Sequence, residues 1–217
     1  MYWMKFKIIR KAHQSISAWT GGTTTELFIF PVDASYPKRD FLFRLSSATI
    51  EAESSVFTSL PGFSRILMIL DGVIEISHQE KYSKILSKSD QDHFDGSWKT
   101  TSTGRAIDFN LMMVNGLHGL VEMMLLAENE KKFFRTAQNS GFTGIYVFLG
   151  TIFLNIDNES VILDTGDFAI IEKLNTEEME ITAPKAAEII LSSIQTADNA
   201  DHPFPWLHTL PLHGGSN

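Results

Sequence analysis

The sequence predicts an all-β protein built from two stacked barrels. Three observations lead there. Runs of four to eight residues rich in Ile, Val, Phe, Leu and Thr recur along the 217-residue chain, bounded by Gly, Pro, Asp and Ser. Helical periodicity is sparse. The strand pattern of the first half also returns in the second, at a spacing too long for a solenoid. Many short strands separated by turn chemistry indicate a sandwich or barrel.

In chain order, the expected strands of the first half are Lys5–Ile9, Glu26–Phe30, Phe41–Ile50, Arg65–Leu70, Val73–Ser77, Ser83–Leu86, Ile107–Val114 and Gly119–Leu126. Those of the second are Gly144–Phe148, Thr151–Ile156, Ser160–Leu163, Phe168–Ile171, Met179–Thr182 and Ala186–Ser193. Ile8–Ser17 is expected to hold a short helical turn, and Asn129–Ala137 is the other stretch with a helical signal.

The repeat is visible residue by residue. Ile66–Leu70, Gly72 and the apolar run after it match Ile145–Leu149, Gly150 and Thr151–Leu154. Lys84–Asp90 matches Val161–Asp167, and Arg105–Leu111 matches Lys185–Leu191. Gly72 to Gly150, Asp90 to Asp167 and Arg105 to Lys185 give offsets of 78, 77 and 80 residues. Strand, Gly turn, strand, Gly-Asp bend and return strand is the pattern of a cupin half-barrel. The expected division is residues 1–128 for a first, site-bearing barrel, 129–197 for a structural second one, and 198–217 for an extended tail. Polar residues explain why the site is assigned to the first copy. It carries Arg44, Ser46, Arg65, Asp108 and Asn110, whereas Asn110 is answered in the second copy by Ile190.

Composition excludes several classes. The net charge is −8, from 26 acids and 18 bases, which argues against phosphate-backbone binding and so against a nucleic-acid partner. The basic spots at Lys5, Lys7, Arg10 and Lys11, and at Lys131, Lys132 and Arg135, are expected to be solvated faces. No apolar run approaches the ~20 residues that span a bilayer. The N-terminal Met-Tyr-Trp-Met-Lys-Phe-Lys lacks the apolar core and cleavage site of a secretory signal. The chain has no cysteine, hence no disulfide, thiolate metal site or Cys nucleophile. The expectation is a cytoplasmic protein with no membrane contact.

Strand alternation assigns faces. Arg44 falls with Leu42, Ser46, Ala48 and Ile50, opposite Phe41, Phe43 and Leu45. Arg65 shares a face with Leu67 and Ile69. Asp108, Asn110 and Met112 lie opposite Ile107, Phe109, Leu111 and Met113. Glu26 is expected beside Thr24, Phe28 and Phe30. Upstream of Glu26, Trp19-Thr-Gly-Gly-Thr-Thr-Thr gathers an aromatic, two glycines and hydroxyls in one place. Two readings follow. Arg44 or Arg65 binds a ligand carboxylate through its planar fork, helped by Thr24, Ser46 and Asn110. Alternatively, both arginines pair internally with Glu26 and Asp108 and tie strands together.

Other chemistry finds little support. The histidines at 13, 78, 93, 118, 202, 208 and 213 form no His-x-His pair, so no metal is expected; His78 and His93 fall in or beside expected loops. No Gly-x-Ser-x-Gly elbow occurs, and Gly21-Gly22 matches neither phosphate-loop pattern.

The ordered set Trp19–Glu26, Phe43–Ala48, Phe57–Arg65, Leu70–Gly72, Phe94–Gly96 and Asp108–Met112 resembles the HutD/Ves family across about residues 5 to 195. The resemblance implies a bacterial cytoplasmic bicupin of the RmlC-like superfamily. It associates HutD members with histidine utilisation as ligand-binding or regulatory proteins, with a formylated glutamate intermediate as the suggested ligand. It links Ves members to stress responses, with no established catalysis. It carries the family's Trp onto Trp19, its Arg-x-Ser onto Arg44 and Ser46, its Pro-Gly-x-x-Arg onto Arg65, and its Asp-Phe-Asn onto Asp108, Phe109 and Asn110. One departure stands out: many members read Trp-x-Asn-Gly-Gly-Gly, whereas this chain reads Trp19-Thr20-Gly21-Gly22 without the Asn.

The resulting expectation is a protein without metal or cofactor that binds a small anionic metabolite in the first barrel. An N-formyl amino acid or a histidine-pathway intermediate would serve. Arg65 and Arg44 would neutralise the anion, Thr24, Ser46 and Asn110 would orient it, and Trp19 and Phe109 would form walls. The alternatives are a metal-free cupin isomerase or hydrolase with Glu26 or Asp108 as base, and an interaction protein that forms a homodimer through its edge strands.

Overall fold

Strand-forming runs become seventeen strands among the described residues, with a single 3-10 turn at Lys11–His13. The computed structural model describes residues 5–135, 140–156, 159–172 and 178–195; the expected tail, 198–217, lies outside them. No helix among the described residues is long and apolar enough to cross a membrane.

The strands form three antiparallel sheets. The largest joins β2 (Ser15–Trp19), β3 (Gly22–Phe30), β4 (Phe43–Ile50), β9 (Thr100–Val114), β6 (Phe63–His78) and β7 (Tyr82–Leu86) in that order. Two short strands, β5 (Ser54–Val56) on β9 and β8 (Gln91–Asp95) on β6, complete it. The second sheet runs β1 (Lys5–Ile9), β15 (Phe168–Glu172), β12 (Ser140–Leu149), β17 (Ala187–Gln195) and β10 (His118–Leu126). The third runs β11 (Lys131–Arg135), β16 (Glu178–Thr182), β13 (Thr151–Ile156) and β14 (Glu159–Asp164).

Alternation along these strands builds the layers. One core, including Val147, Leu154, Leu163, Ile181 and Ile189, fills the space between the second and third sheets. Another, including Phe30, Phe43, Met68, Phe109, Leu111, Phe142 and Phe168, seals the largest sheet against the second. No closed barrel is detected among the described residues, so the expectation of two barrels is met only at the level of an all-β layered architecture. The halves also trade strands. β1 and β10 lie in the expected first segment, yet they hydrogen-bond to β15 and β17 of the second.

The largest sheet bends on itself. Arg65–Leu70 and Val73–Ser77, expected as two strands around a Gly turn, are one strand of 16 residues, β6. Its ladder with β9 slips between Ile69 and Asp71. Gly72 takes φ +85°, and a Cβ there would lie 2.3 Å from the Arg105 carbonyl oxygen. The slip reverses side-chain parity, so Leu67 and Ile69 before it and Ile74 and Ile76 after it enter one small core with Leu86 and Phe94. The sheet therefore has an inside.

Two expectations are corrected. Lys131–Arg135 is a strand, β11, rather than the start of a helix; its ladder with β16 is reinforced where Lys131 meets Glu180 at 3.2 Å. Phe109, expected as a site wall, is fully buried on the opposite face, between the sheets. Replacing Phe109 with Ala should therefore lower unfolding stability by about 3–5 kcal/mol, measured by denaturant titration, as for other large buried aromatics.

Candidate functional site

The inside of the bent sheet holds a cavity of about 620 Å³. Its floor is set by register. β9 lies between β4 and β6, so inward-facing residues form cross-strand rows. Arg44, Met112 and Arg65 make one row, Ser46, Asn110 and Leu67 the next, and Ala48, Asp108 and Ile69 the third. β3 extends this pattern by placing Glu26 beside Ser46 and Thr24 beside Ala48. A bulge between Glu26 and Phe28 then reverses the strand's parity. Glu26 and Thr24 consequently share the inner face, while Phe28 and Phe30 turn into the inter-sheet core. The expectation that all four share one face fails at that inserted residue.

The two arginines are both buried but differ in their partners. Arg44 donates from Nε to Glu26 Oε2 at 2.7 Å and from Nη1 to Ser46 Oγ at 3.2 Å. Its Cζ also sits 4.5 Å from the Tyr36 ring centroid. Arg65 lies in the corner between the Phe57 and Phe94 rings, 5.0 and 5.1 Å from their centroids. These rings stand nearly perpendicular, at 85°. Its buried Nε has no hydrogen-bond partner. Burial lowers the Arg65 pKa to about 10, with Tyr36 and Asp108 opposing that shift, so it remains a cation at neutral pH.

Asp108 is the counterpart. Burial pushes its carboxyl up to about 7, against the pull of Arg65 and of a hydrogen bond from the Ala48 N–H. Its Oδ1 has no partner, nor do Asn110 Oδ1 and Ser55 Oγ. Buried polar atoms without partners are uncommon and cost about 1–3 kcal/mol each. Four of them line one cavity here: Arg65 Nε, Asp108 Oδ1, Asn110 Oδ1 and Ser55 Oγ.

The mouth is framed by Trp19, which remains 38% exposed and donates from Nε1 to Thr24 Oγ1 at 3.2 Å. The glycines beside it serve close packing. A Cβ on Gly21 would overlap the Trp19 ring at 1.9 Å, and one on Gly22 would meet the Thr49 carbonyl oxygen at 1.9 Å.

Of the residues expected at the site, the structure gathers Trp19, Thr24, Arg44, Ser46, Arg65, Asp108 and Asn110 on one cavity. Glu26 sits beyond Arg44 and borders a separate depression of about 170 Å³. Tyr36, Ser55, Phe57 and Phe94 were not anticipated. Phe57 and Phe94 belong to the motifs that carry the family resemblance, and aromatics near a buried arginine were the available signal. His78, expected in or beside a loop, ends β6 directly before a turn. It is buried at the end of β6, with Nε2 2.7 Å from Asp92 Oδ2 and Nδ1 2.8 Å from Thr100 Oγ1. Among the described residues, no group of three or more His, Asp or Glu side chains is placed to hold a metal ion.

The HutD family model matches residues 11–191, most of the chain. The chain belongs to the HutD family. Among solved structures, it is similar to a conserved protein of unknown function from Pseudomonas aeruginosa PAO1. That match has TM-score 0.76 and 19% identity, covering 88% of this chain and all of the other. HutD from Pseudomonas fluorescens SBW25, in a formate condition, matches with TM-score 0.67 and 18% identity over 89% of this chain and all of that one. YhhW from Escherichia coli matches with TM-score 0.69 and 12% identity over 90% and 100%. No curated protein matches. At these identities the likeness concerns the fold, which is cupin-like.

In this HutD-family chain, the Asp108 pKa sets a pH signature. Because the folded value of about 7 lies above the 3.8 of an ordinary aspartate, the unfolded chain ionises first as pH rises. Asp108 thus contributes stability at low pH that is lost between about pH 4 and 7, at roughly 1.4 kcal/mol per pH unit at most. Asp108→Asn, which has no such proton, should gain stability relative to wild type across that window and keep a constant difference above it. Thermal unfolding of both proteins from pH 4 to 8.5 measures this.

Proposed function

We propose that this HutD-family protein binds a small carboxylate-bearing metabolite in the cavity of its first half and acts as a ligand-sensing or regulatory protein in the cytoplasm. The observation that carries the reading is Arg65, a buried cation whose Nε has no protein partner. A guanidinium presents paired N–H donors in one plane, which suits the two oxygens of a carboxylate. Arg44 is already occupied by Glu26 and supports the site by electrostatic field and position. Ser46, Ser55, Thr24 and Asn110 offer neutral hydrogen bonds, and Trp19, Tyr36 and Phe57 supply apolar surface. The volume suits a ligand of amino-acid size or somewhat larger.

Family membership supports an N-formyl amino acid or an intermediate of histidine utilisation as the natural occupant. The internal repeat supports a finer architectural reading, in which the two halves are stacked cupin barrels with only the first adapted to a ligand.

Binding should raise the thermal midpoint. Formate, plain amino acids and N-formyl amino acids form the test panel. A ligand at a hundredfold excess over its dissociation constant should stabilise the fold by about 2.7 kcal/mol. Arg65→Ala should abolish the shift while keeping a cooperative transition. Absence of a shift in wild type across the whole panel would remove the reading.

A further inference from the structure

Charge bookkeeping inside the cavity points beyond simple anion binding. Arg44 is matched by Glu26 at 2.7 Å. Arg65 is matched only when Asp108 is ionised. Asp108 is buried on the adjacent strand, two rows along from the Arg44–Met112–Arg65 row. One Asp108 oxygen accepts from Ala48 N–H, while Oδ1 has no partner. The charged and titratable groups facing this pair are few: Arg65 from β6, Arg44 from β4 with Glu26 from β3, and Tyr36 from the β3–β4 connection. The β5 side of the cavity contributes Ser54, Ser55 and Val56, none of which titrates near neutrality.

Two charge states follow. With Asp108 ionised, Arg44, Glu26, Arg65 and Asp108 sum to zero, and an incoming anion leaves an unbalanced negative charge among buried groups. With Asp108 protonated, the cavity carries one positive charge and an O–H donor.

We propose that the cavity takes up a monoanionic carboxylate and a proton together, with Arg65 holding the anion and the neutral Asp108 carboxyl donating its O–H within the same site. This rests on the binding reading above and deepens it by making Asp108 a specificity-determining residue. The occupied site is then neutral. Monocarboxylates are favoured over dianions such as sulfate, which would leave the buried cluster negative. A bound anion beside Asp108 also disfavours its ionised form further, in keeping with an empty-cavity value already near neutrality. Affinity and protonation are thereby coupled, each strengthening the other.

The test uses the full chain with butyrate as probe and sulfate as the dianion control. Calorimetric titrations at pH 8 in two buffers of different ionisation enthalpy count the protons taken up. The expected result is about one proton per butyrate at pH 8, none at pH 5.5, and an affinity that falls about tenfold per pH unit above neutrality and levels off below it. Asp108→Asn, which preserves shape and an acceptor for Ala48 N–H, should bind butyrate with no pH dependence in this range. Sulfate should bind more weakly than butyrate at every pH. If butyrate binds wild type with flat affinity and no proton uptake, the coupling is wrong and the binding reading survives. If pH dependence persists in Asp108→Asn, another group carries the proton and the assignment to Asp108 falls. If no anion binds at any pH, both readings fall together.

Discussion

Two guanidinium groups inside one sheet face are the constraint on which the rest of the site depends. Removing such charges from water costs several kcal/mol each unless partners replace the lost hydration. The chain solves this differently on the two flanks of Met112. Arg44 receives a carboxylate, a hydroxyl and an aromatic face. Arg65 receives two aromatic rings and a carboxyl that burial holds near neutrality. The first arrangement is closed, and the second leaves the Arg65 Nε, on the cavity wall, without a partner. The asymmetry separates a strut from a receptor, and it arises from one residue: Glu26, placed on the inner face by the bulge that follows it.

The bent sheet makes this possible. A flat eight-stranded sheet would present Arg44, Arg65, Asp108 and Asn110 to water, where their charges would be screened and their pKa values ordinary. Slipped pairing at Asp71 and the open backbone at Gly72 curl β6 and β9, so those side chains face apolar neighbours instead. The opposite face of the same strands carries Phe43, Met68 and Phe109 into the seal against the second sheet. Each of these strands therefore serves two interiors, and a polar residue moved by one position would land in an apolar core.

Much of the site was legible because β4 and β9 are regular. Strict alternation placed Arg44, Ser46, Asp108 and Asn110 on one face, and the internal repeat isolated them in one half. Alternation failed at β3, since an inserted residue leaves no trace in composition. It also misread Asp71-Gly72 as a turn, because a Gly after an apolar run looks the same whether the chain reverses or bends. Tyr36, Phe57 and Phe94 escaped notice because their positions depend on loops and a short strand. Gly96 fixes part of that region, exchanging backbone hydrogen bonds with Leu60 and Phe63 at 2.6 and 2.7 Å. His78 lies at a strand end that looked like a loop, and its burial comes from pairing with Asp92 and Thr100, 14 and 22 residues away.

The strands traded between halves bear on how the chain comes to be folded. Lys5–Ile9 leaves a ribosome well before its partner, Phe168–Glu172, which follows far along the chain. Until that partner arrives, β1 is a bare edge with unmet hydrogen bonds, and β10 waits likewise for β17. Pairings this distant in sequence slow folding, because a long loop must close before any contact rewards it. The first half can curl around its cavity early, yet the hydrophobic seal beneath it is completed only when the second half docks. Nascent chains of this protein thus carry a sticky, half-finished face until the second half emerges, a period in which chaperones would matter more than the stability of the finished molecule suggests.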